Sequence, residues 1–284
     1  MKRIHLLVAA ALCITLMPGR ASALDVKKLK PNQIRISYQE PTNPVHREVA
    51  DFLKKKQVLE KFRDLLSVIR LPRPLKLELR GCDGELNAWY DPDEYTVTVC
   101  YDLIQKNHDD RPKETTPAGI TQEDAFLGPV TEIFLHESGH AVFDLLEVPI
   151  FGHEEDAADQ FAAYIMLKFN AKEARRLIGG VAYMYGRDAQ SARITDLGQY
   201  ADEHGHPAQR FFTYLCMAYG EDPKNFSDVL DKGWLPKNRA ERCEAEYFQV
   251  DYAVKKMITP YVDQNLVKRV KQKSWLKGRV RNEK

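Results

Sequence analysis

Beyond its first two dozen residues the chain has no long apolar run, so no later stretch can cross a bilayer as a single helix. It has no excess of charge of either sign: 42 Lys and Arg stand against 41 Asp and Glu. Taking away the three basic residues of positions 1–23 leaves 39 against 41, a balance of −2, which gives no reason to expect a nucleic-acid partner. No C-x-x-C pair occurs, so nothing supports a zinc site built from four thiolates. No internal repeat is visible. The one local imbalance is the tail: Lys268 to Lys284 holds eight basic residues against Glu283, a solvated end or a segment weakly attracted to anionic surfaces.

The N-terminus carries Lys2 and Arg3, an apolar run from Leu6 to Met17, a Pro18-Gly19 break and Ala21-Ser22-Ala23. These features read as a secretory signal peptide cut after Ala23, which makes the mature protein periplasmic or secreted, without a transmembrane anchor. Leu12 in front of Cys13 does not suit a lipidation site. Four cysteines then remain, Cys82, Cys100, Cys216 and Cys243. An even number in an exported chain points to two disulfides, and of the three connectivities the favoured one pairs Cys82 with Cys100 and Cys216 with Cys243, each stapling neighbouring elements.

Residues 24–44 are polar and punctuated by proline, and read as an N-terminal arm. Val45 to Ile69 shows helical spacing up to Pro72 and predicts one long helix; Leu75, Leu77 and Leu79 alternate with charged residues and predict a strand. Asp91-Pro92-Asp93-Glu94 lies between two β-rich runs, a hairpin pattern that ends in Tyr95–Cys100. A helical turn or two is expected over Tyr101–Asn107. Thr121-Gln122-Glu123-Asp124 resembles a capping box before a long apolar-periodic segment, which Gly128-Pro129 either kinks or starts. Helices are expected from His153 onwards, over Lys172–Tyr185, Gln199–His204, Pro207–Tyr219, Lys224–Asp231 and Arg239–Val262. The class is α+β: a small sheet lobe over about 45–147, a mainly helical lobe over about 148–266, and the basic tail 267–284.

The chemistry-bearing stretch is His136-Glu137-Ser138-Gly139-His140. At helical pitch His136 and His140 stand one above the other, able to reach one zinc ion, and Glu137 lies beside that face as a general base toward a metal-activated water. A catalytic zinc takes three protein ligands and keeps one position open. The segment from His153 supplies the third: Glu155, with Asp159 one turn later as the carboxylate that orients a ligand histidine. Asp144 continues the histidine stripe and is either a further orienting carboxylate or a solvated charge. Hydrolysis also needs a donor to the oxyanion, and His204, His206, Arg210, Tyr183 and Tyr185 are the candidates.

His-Glu-x-x-His followed by Glu155-x-x-x-Asp159 on the next helix resembles the gluzincin metallopeptidases. More narrowly, His136–Ala141, Gly152 and Glu154–Ala162, together with Cys82, Asn87-Ala88, Cys100-Tyr101, Glu203-His204, Gln209-Arg210-Phe211 and Cys216, resemble a family of exported bacterial proteins known as “putative metallopeptidases”, a domain family of unknown function. The resemblance implies a zincin-like fold centred on the His-Glu-x-x-His helix and one zinc per chain. It also implies peptide or protein substrates, extended along the sheet edge at Tyr95–Val99, with His204 as the preferred oxyanion donor. The interval from His140 to Glu155 is shorter than in thermolysin-like gluzincins, which keeps Glu154, His153 and Asp159 as alternatives for the third ligand. Two other functions fit the sequence: a catalytically silent zinc-containing binding protein of the cell envelope, and hydrolysis of another amide such as a cell-wall crosslink.

Overall fold

A computed structural model describes residues 24–192 and 201–271. The expected signal peptide and most of the basic tail lie outside the described residues. In chain order the elements are β1 (Ile34–Tyr38), α1 (Arg47–Lys55), α2 (Val58–Leu66), β2 (Leu75–Arg80), β3 (Ala88–Asp91), β4 (Thr96–Cys100) and α3 (Tyr101–Asp109). They are followed by α4 (Gln122–Leu145), α5 (Glu154–Leu167), α6 (Ala171–Ser191), α7 (Pro207–Glu221), α8 (Asp228–Asp231), α9 (Lys237–Ala240), α10 (Cys243–Met257) and α11 (Gln264–Lys271). The mixed α and β class is the one expected.

The sheet has the order β1-β2-β4-β3, with β1, β2 and β4 parallel and β3 antiparallel to β4. Two of its features depart from the sequence reading. Ile34–Tyr38, within the stretch read as an arm, supplies β1, paired residue for residue with Leu75–Leu79. Tyr95–Val99 is not an edge: the hairpin folds β3 over the outer side of β4, so β4 is interior, buried along its whole length, and β3 and β1 are the two edges. Leu75, Leu77 and Leu79 are fully buried, as the period-two pattern requires.

The long first helix is two. α1 stops at Lys56, Gln57 adopts a left-handed conformation at φ 54°, and α2 begins immediately after it. The Tyr38 hydroxyl from β1 accepts the Leu59 amide at 2.8 Å and donates to Glu60 at 3.0 Å, holding the start of α2. Apolar spacing continues across the break, which is why periodicity alone joins the two helices.

α4 is the structural spine. The Thr121 hydroxyl accepts the Asp124 amide at 3.1 Å and Asp124 accepts the Thr121 amide at 3.3 Å, so the capping box forms and the helix starts before Gly128-Pro129 and runs through Pro129. The helix is buried over most of its length and packs on β3, β4, α3, α5 and α6. Its crossing with α6 depends on two glycines: a Cβ at Gly128 would stand 2.7 Å from the Leu177 carbonyl oxygen, and one at Gly180 would stand 2.0 Å from the Asp124 carbonyl oxygen.

Cys82 pairs with Cys100, tying the loop before β3 to the end of β4, and Cys216 pairs with Cys243, tying α7 to α10. Asp102 also clamps the first loop by accepting the Cys82 and Gly84 amides, both at 3.0 Å. Two disulfides are compatible with export. Among the described residues no helix is long and apolar enough to cross a membrane. The helix expected over Gln199–His204 lies partly outside the described residues, and positions 201–204 are a bend. The expected final helix is broken into α9, α10 and a short 3₁₀ turn at Thr259–Tyr261.

Candidate metal centre

The face of α4 that meets α5 carries His136 and His140, one turn apart. Gly139 between them lets α5 approach: a Cβ there would lie 3.2 Å from the Phe161 ring and 3.4 Å from the Ala158 Cα. That close contact brings Glu155 and Asp159, on one face of α5, against the histidines.

Three donor atoms converge. His136 Nε2 and His140 Nε2 are 3.3 Å apart, and Glu155 Oε2 is 2.9 Å from the first and 3.4 Å from the second. Nitrogen and oxygen ligands at about 2.0–2.1 Å around one tetrahedral ion stand roughly 3.3–3.4 Å from one another. The donor set and its spacing therefore fit a single divalent cation. The electrostatics agree. Burial opposes a charge on His136, but hydrogen bonds to Asp159 and Glu155 overcome it and raise the imidazole to about 10. Burial likewise opposes a charge on His140, and Glu155 and Glu154 outweigh it. Burial would raise Glu155, yet the three imidazoles of His136, His140 and His204 hold it far below the usual carboxylate range. The site is built to stabilise positive charge.

Each histidine is oriented through its other nitrogen. His136 Nδ1 lies 2.9 Å from Asp159 Oδ1, and His140 Nδ1 lies 2.8 Å from Glu154 Oε1. Donation from Nδ1 leaves the Nε2 lone pair free for a metal. Of the alternatives for the third ligand, Glu154 and Asp159 thus meet the nitrogens that face away from the convergence point, and His153 stands exposed at the start of α5.

Asp159 is held in turn by Arg210, whose Nε and Nη2 reach its two oxygens at 2.7 and 2.5 Å. Arg210 Nη2 also donates to Glu132 at 3.2 Å, and Tyr185 and Tyr214 donate their hydroxyls to the same Glu132 oxygen at 2.8 and 2.9 Å. Donor atoms of Glu132, His136 and Asp159 also lie within 4.8 Å of one another. Arg210 already neutralises these two carboxylates, so this second cluster is a poor cation site. Glu132 sits one turn before His136 and, unlike Asp159, Arg210 and Tyr185, is not singled out by the sequence.

Glu137 is 8% exposed and its carboxyl has no hydrogen-bond partner among the described residues. Burial raises its pKa, against the opposing pull of the two histidines. It opens onto two clefts that share Ala88, Glu137 and His204: one of about 420 Å³ towards β3, His140 and Glu154, the other of about 230 Å³ towards α3 and α6. A larger apolar cavity of about 790 Å³ between α6 and α7 holds none of these groups.

Of the five oxyanion-donor candidates, His204 is the one at the convergence point. Its Nε2 lies 2.9 Å from Glu155 Oε2, its Nδ1 is 3.2 Å from Asp202, and its ring stacks on His136 at 5.6 Å. Hydrogen bonding to Glu155, against burial, raises its pKa. His206 caps α7, Tyr183 donates to the Asp110 carbonyl, and Arg210 and Tyr185 are committed to the buried network. Asp144 meets neither histidine; it accepts the Tyr90 hydroxyl at 2.7 Å on the cleft wall.

Two imidazoles and a carboxylate on packed helices, beside an unpaired carboxyl in an open cleft, define the class: an α+β protein with a candidate mononuclear metal centre. The chain belongs to the family described as “Putative metallopeptidase”, whose model matches residues 38–258. No curated protein and no solved structure matches the chain. Membership supports a peptidase role, a bound metal and peptide or protein substrates.

Proposed function

We propose that the protein is an exported, zinc-dependent metallopeptidase with a zincin-like arrangement of sheet, His-Glu-x-x-His helix and acidic helix. The observation that carries the reading is the convergence of His136 Nε2, His140 Nε2 and Glu155 Oε2 within 2.9–3.4 Å of one another beside Glu137. These three residues would hold one zinc, the ion that two imidazoles, a carboxylate and an open position suit best. A bound zinc supplies Lewis acidity, lowering the pKa of water and polarising a carbonyl.

The protein's own groups do the rest. Glu137, made more basic by burial, takes the proton of the attacking water and returns it to the leaving amine. His204 donates to the developing oxyanion, its protonated form favoured by Glu155. Asp159 and Glu154 fix the two ligand tautomers. The free edge of β3 offers an extended substrate backbone hydrogen bonds along the cleft. The expected N-terminal signal and the two disulfides support an activity in the periplasm or outside the cell.

The test combines metal analysis with chelator-sensitive hydrolysis of proteins and peptide pools. Wild type is expected to hold one zinc per chain and to cleave; Glu137→Gln should keep the zinc and lose about 10²–10⁴-fold in kcat. Full activity in that variant removes the mechanism. Zinc without cleavage of any protein, peptide or wall fragment moves the reading to a zinc-containing binding protein.

A further inference from the structure

We propose that Arg210 on α7 is a positioning residue of the metal centre: its guanidinium fork sets the plane of the Asp159 carboxylate and, through it, the direction of His136 Nε2. The inference rests on the peptidase reading above and on its metal centre. Asp159 is 3% exposed on α5. Its Oδ2 accepts Arg210 Nε at 2.7 Å, and its Oδ1 takes both Arg210 Nη2 at 2.5 Å and His136 Nδ1 at 2.9 Å. An imidazole can turn about its bond to Cβ, and the partner at Nδ1 decides where Nε2 points. That partner is a carboxylate and can turn as well, unless both of its oxygens are held.

Neutralising a buried carboxylate needs a charge alone; the surroundings of Arg210 add a direction. Its Nη2 also donates to Glu132 at 3.2 Å, and Tyr185 and Tyr214 donate to the same Glu132 oxygen from α6 and α7. The Tyr185 ring centre lies 4.5 Å from the guanidinium carbon, so one face of the fork is covered. The guanidinium is thus pinned by two carboxylates at its edge and by a ring on its face, in a network drawn from α4, α5, α6 and α7. A lysine would bring Asp159 the same charge as a point, with no plane to impose. The packing of α7 on α5 is thereby tied to the aim of a ligand on α4.

The experiment measures the zinc affinity of the mature protein by competition with a chromophoric chelator. Arg210→Lys, which keeps the charge and loses the fork, is expected to bind zinc about tenfold more weakly, the low end for a partner outside the ligand shell. The visible spectrum of the cobalt-loaded protein, which reports ligand geometry, should change with it. In an Asp159→Asn background the same substitution should cost less than about twofold, because Arg210 acts through Asp159. Replacing Cys216 and Cys243 with alanine loosens α7 without touching Arg210 and is expected to leave zinc affinity unchanged. Wild-type affinity in Arg210→Lys, an equal loss in both backgrounds, or as large a loss in the disulfide variant overturns the proposal and leaves the peptidase reading standing. A wild type that binds no zinc removes both. The unmutated protein supplies a test free of misfolding. Coupling is reciprocal, so zinc loading should slow hydrogen exchange at Arg210 Nε, and an unchanged rate overturns the proposal.

Discussion

His136 is contacted by a carboxylate at each ring nitrogen, and the two contacts have opposite consequences for a metal. Asp159 at Nδ1 orients the ring, whereas Glu155 at Nε2 marks the point where the ion would sit. Glu154 repeats the orienting role at His140. Glu155→Ala should therefore leave zinc well below one per chain in competition with a chromophoric chelator, while Glu154→Ala should weaken binding by about 10–100-fold, the usual effect of an outer-shell partner. The reverse ranking would make Glu154 the third ligand. The same geometry sets a pH dependence. In the metal-free fold His136 titrates at about 10, so at pH 7 its proton must leave before Nε2 can bind a metal. Zinc uptake at pH 7 should release at least one proton, and affinity should go on rising with pH well beyond 6.5, where an ordinary histidine would stop contributing. Calorimetry in buffers of different ionisation enthalpy measures the release; a value near zero would show that the carboxylates do not hold the proton.

Helix α4 is held in register by its contact with α6 at Gly128 and Gly180, two turns before His136. A methyl group at Gly180 would have to displace the Asp124 carbonyl 2.0 Å away, which is backbone and cannot swing aside. Gly180→Ala should cost about 1–3 kcal/mol or more by overpacking, read as a lower urea midpoint at unchanged slope. A neutral result would mean that the two helices separate freely. Elements of this kind show where the sequence is legible. His136, Glu137, His140, Glu155 and Asp159 could be placed on their helix faces because helical spacing is a local property, and the hairpin and both disulfides follow from short-range patterns. The break at Gln57 could not, because the apolar spacing stays in phase across it and Tyr38, twenty residues away, holds the new helix start. β1 and the burial of β4 are decided by pairing between distant segments, which alternation within one strand does not encode. Arg210 could be read as an oxyanion-donor candidate but not as the partner of Asp159 and Glu132, 51 and 78 positions back along the chain, until the fold brings them together.

At the scale of the molecule, the two disulfides brace different halves and should be separable by function. Cys82 and Cys100, 18 positions apart, enclose β3 and the Leu86–Ala88 wall of the cleft towards α3, whereas Cys216 and Cys243, 27 positions apart, join α7 to α10 and line neither cleft. In the chain-entropy account loops of these lengths stabilise a fold by about 3 kcal/mol each. Replacing either pair with alanine should accordingly lower Tm by roughly 6–12 °C, taking 2–4 °C per kcal/mol for a chain of this size. Their effects on substrate should differ. Freed from Cys100, the loop before β3 keeps the Asp102 clamp on the Cys82 and Gly84 amides and the Asn87 carbonyl's bond to the Cys100 amide but loses its covalent tie, so the edge that would pair with a peptide is less preorganised and KM should rise. The Cys216/Cys243 pair joins α7 to α10 and lines neither cleft, so its loss should lower Tm with little change in KM. Equal rises in KM for both pairs would show that the cleft depends on the stability of the whole chain, not on the loop that carries β3.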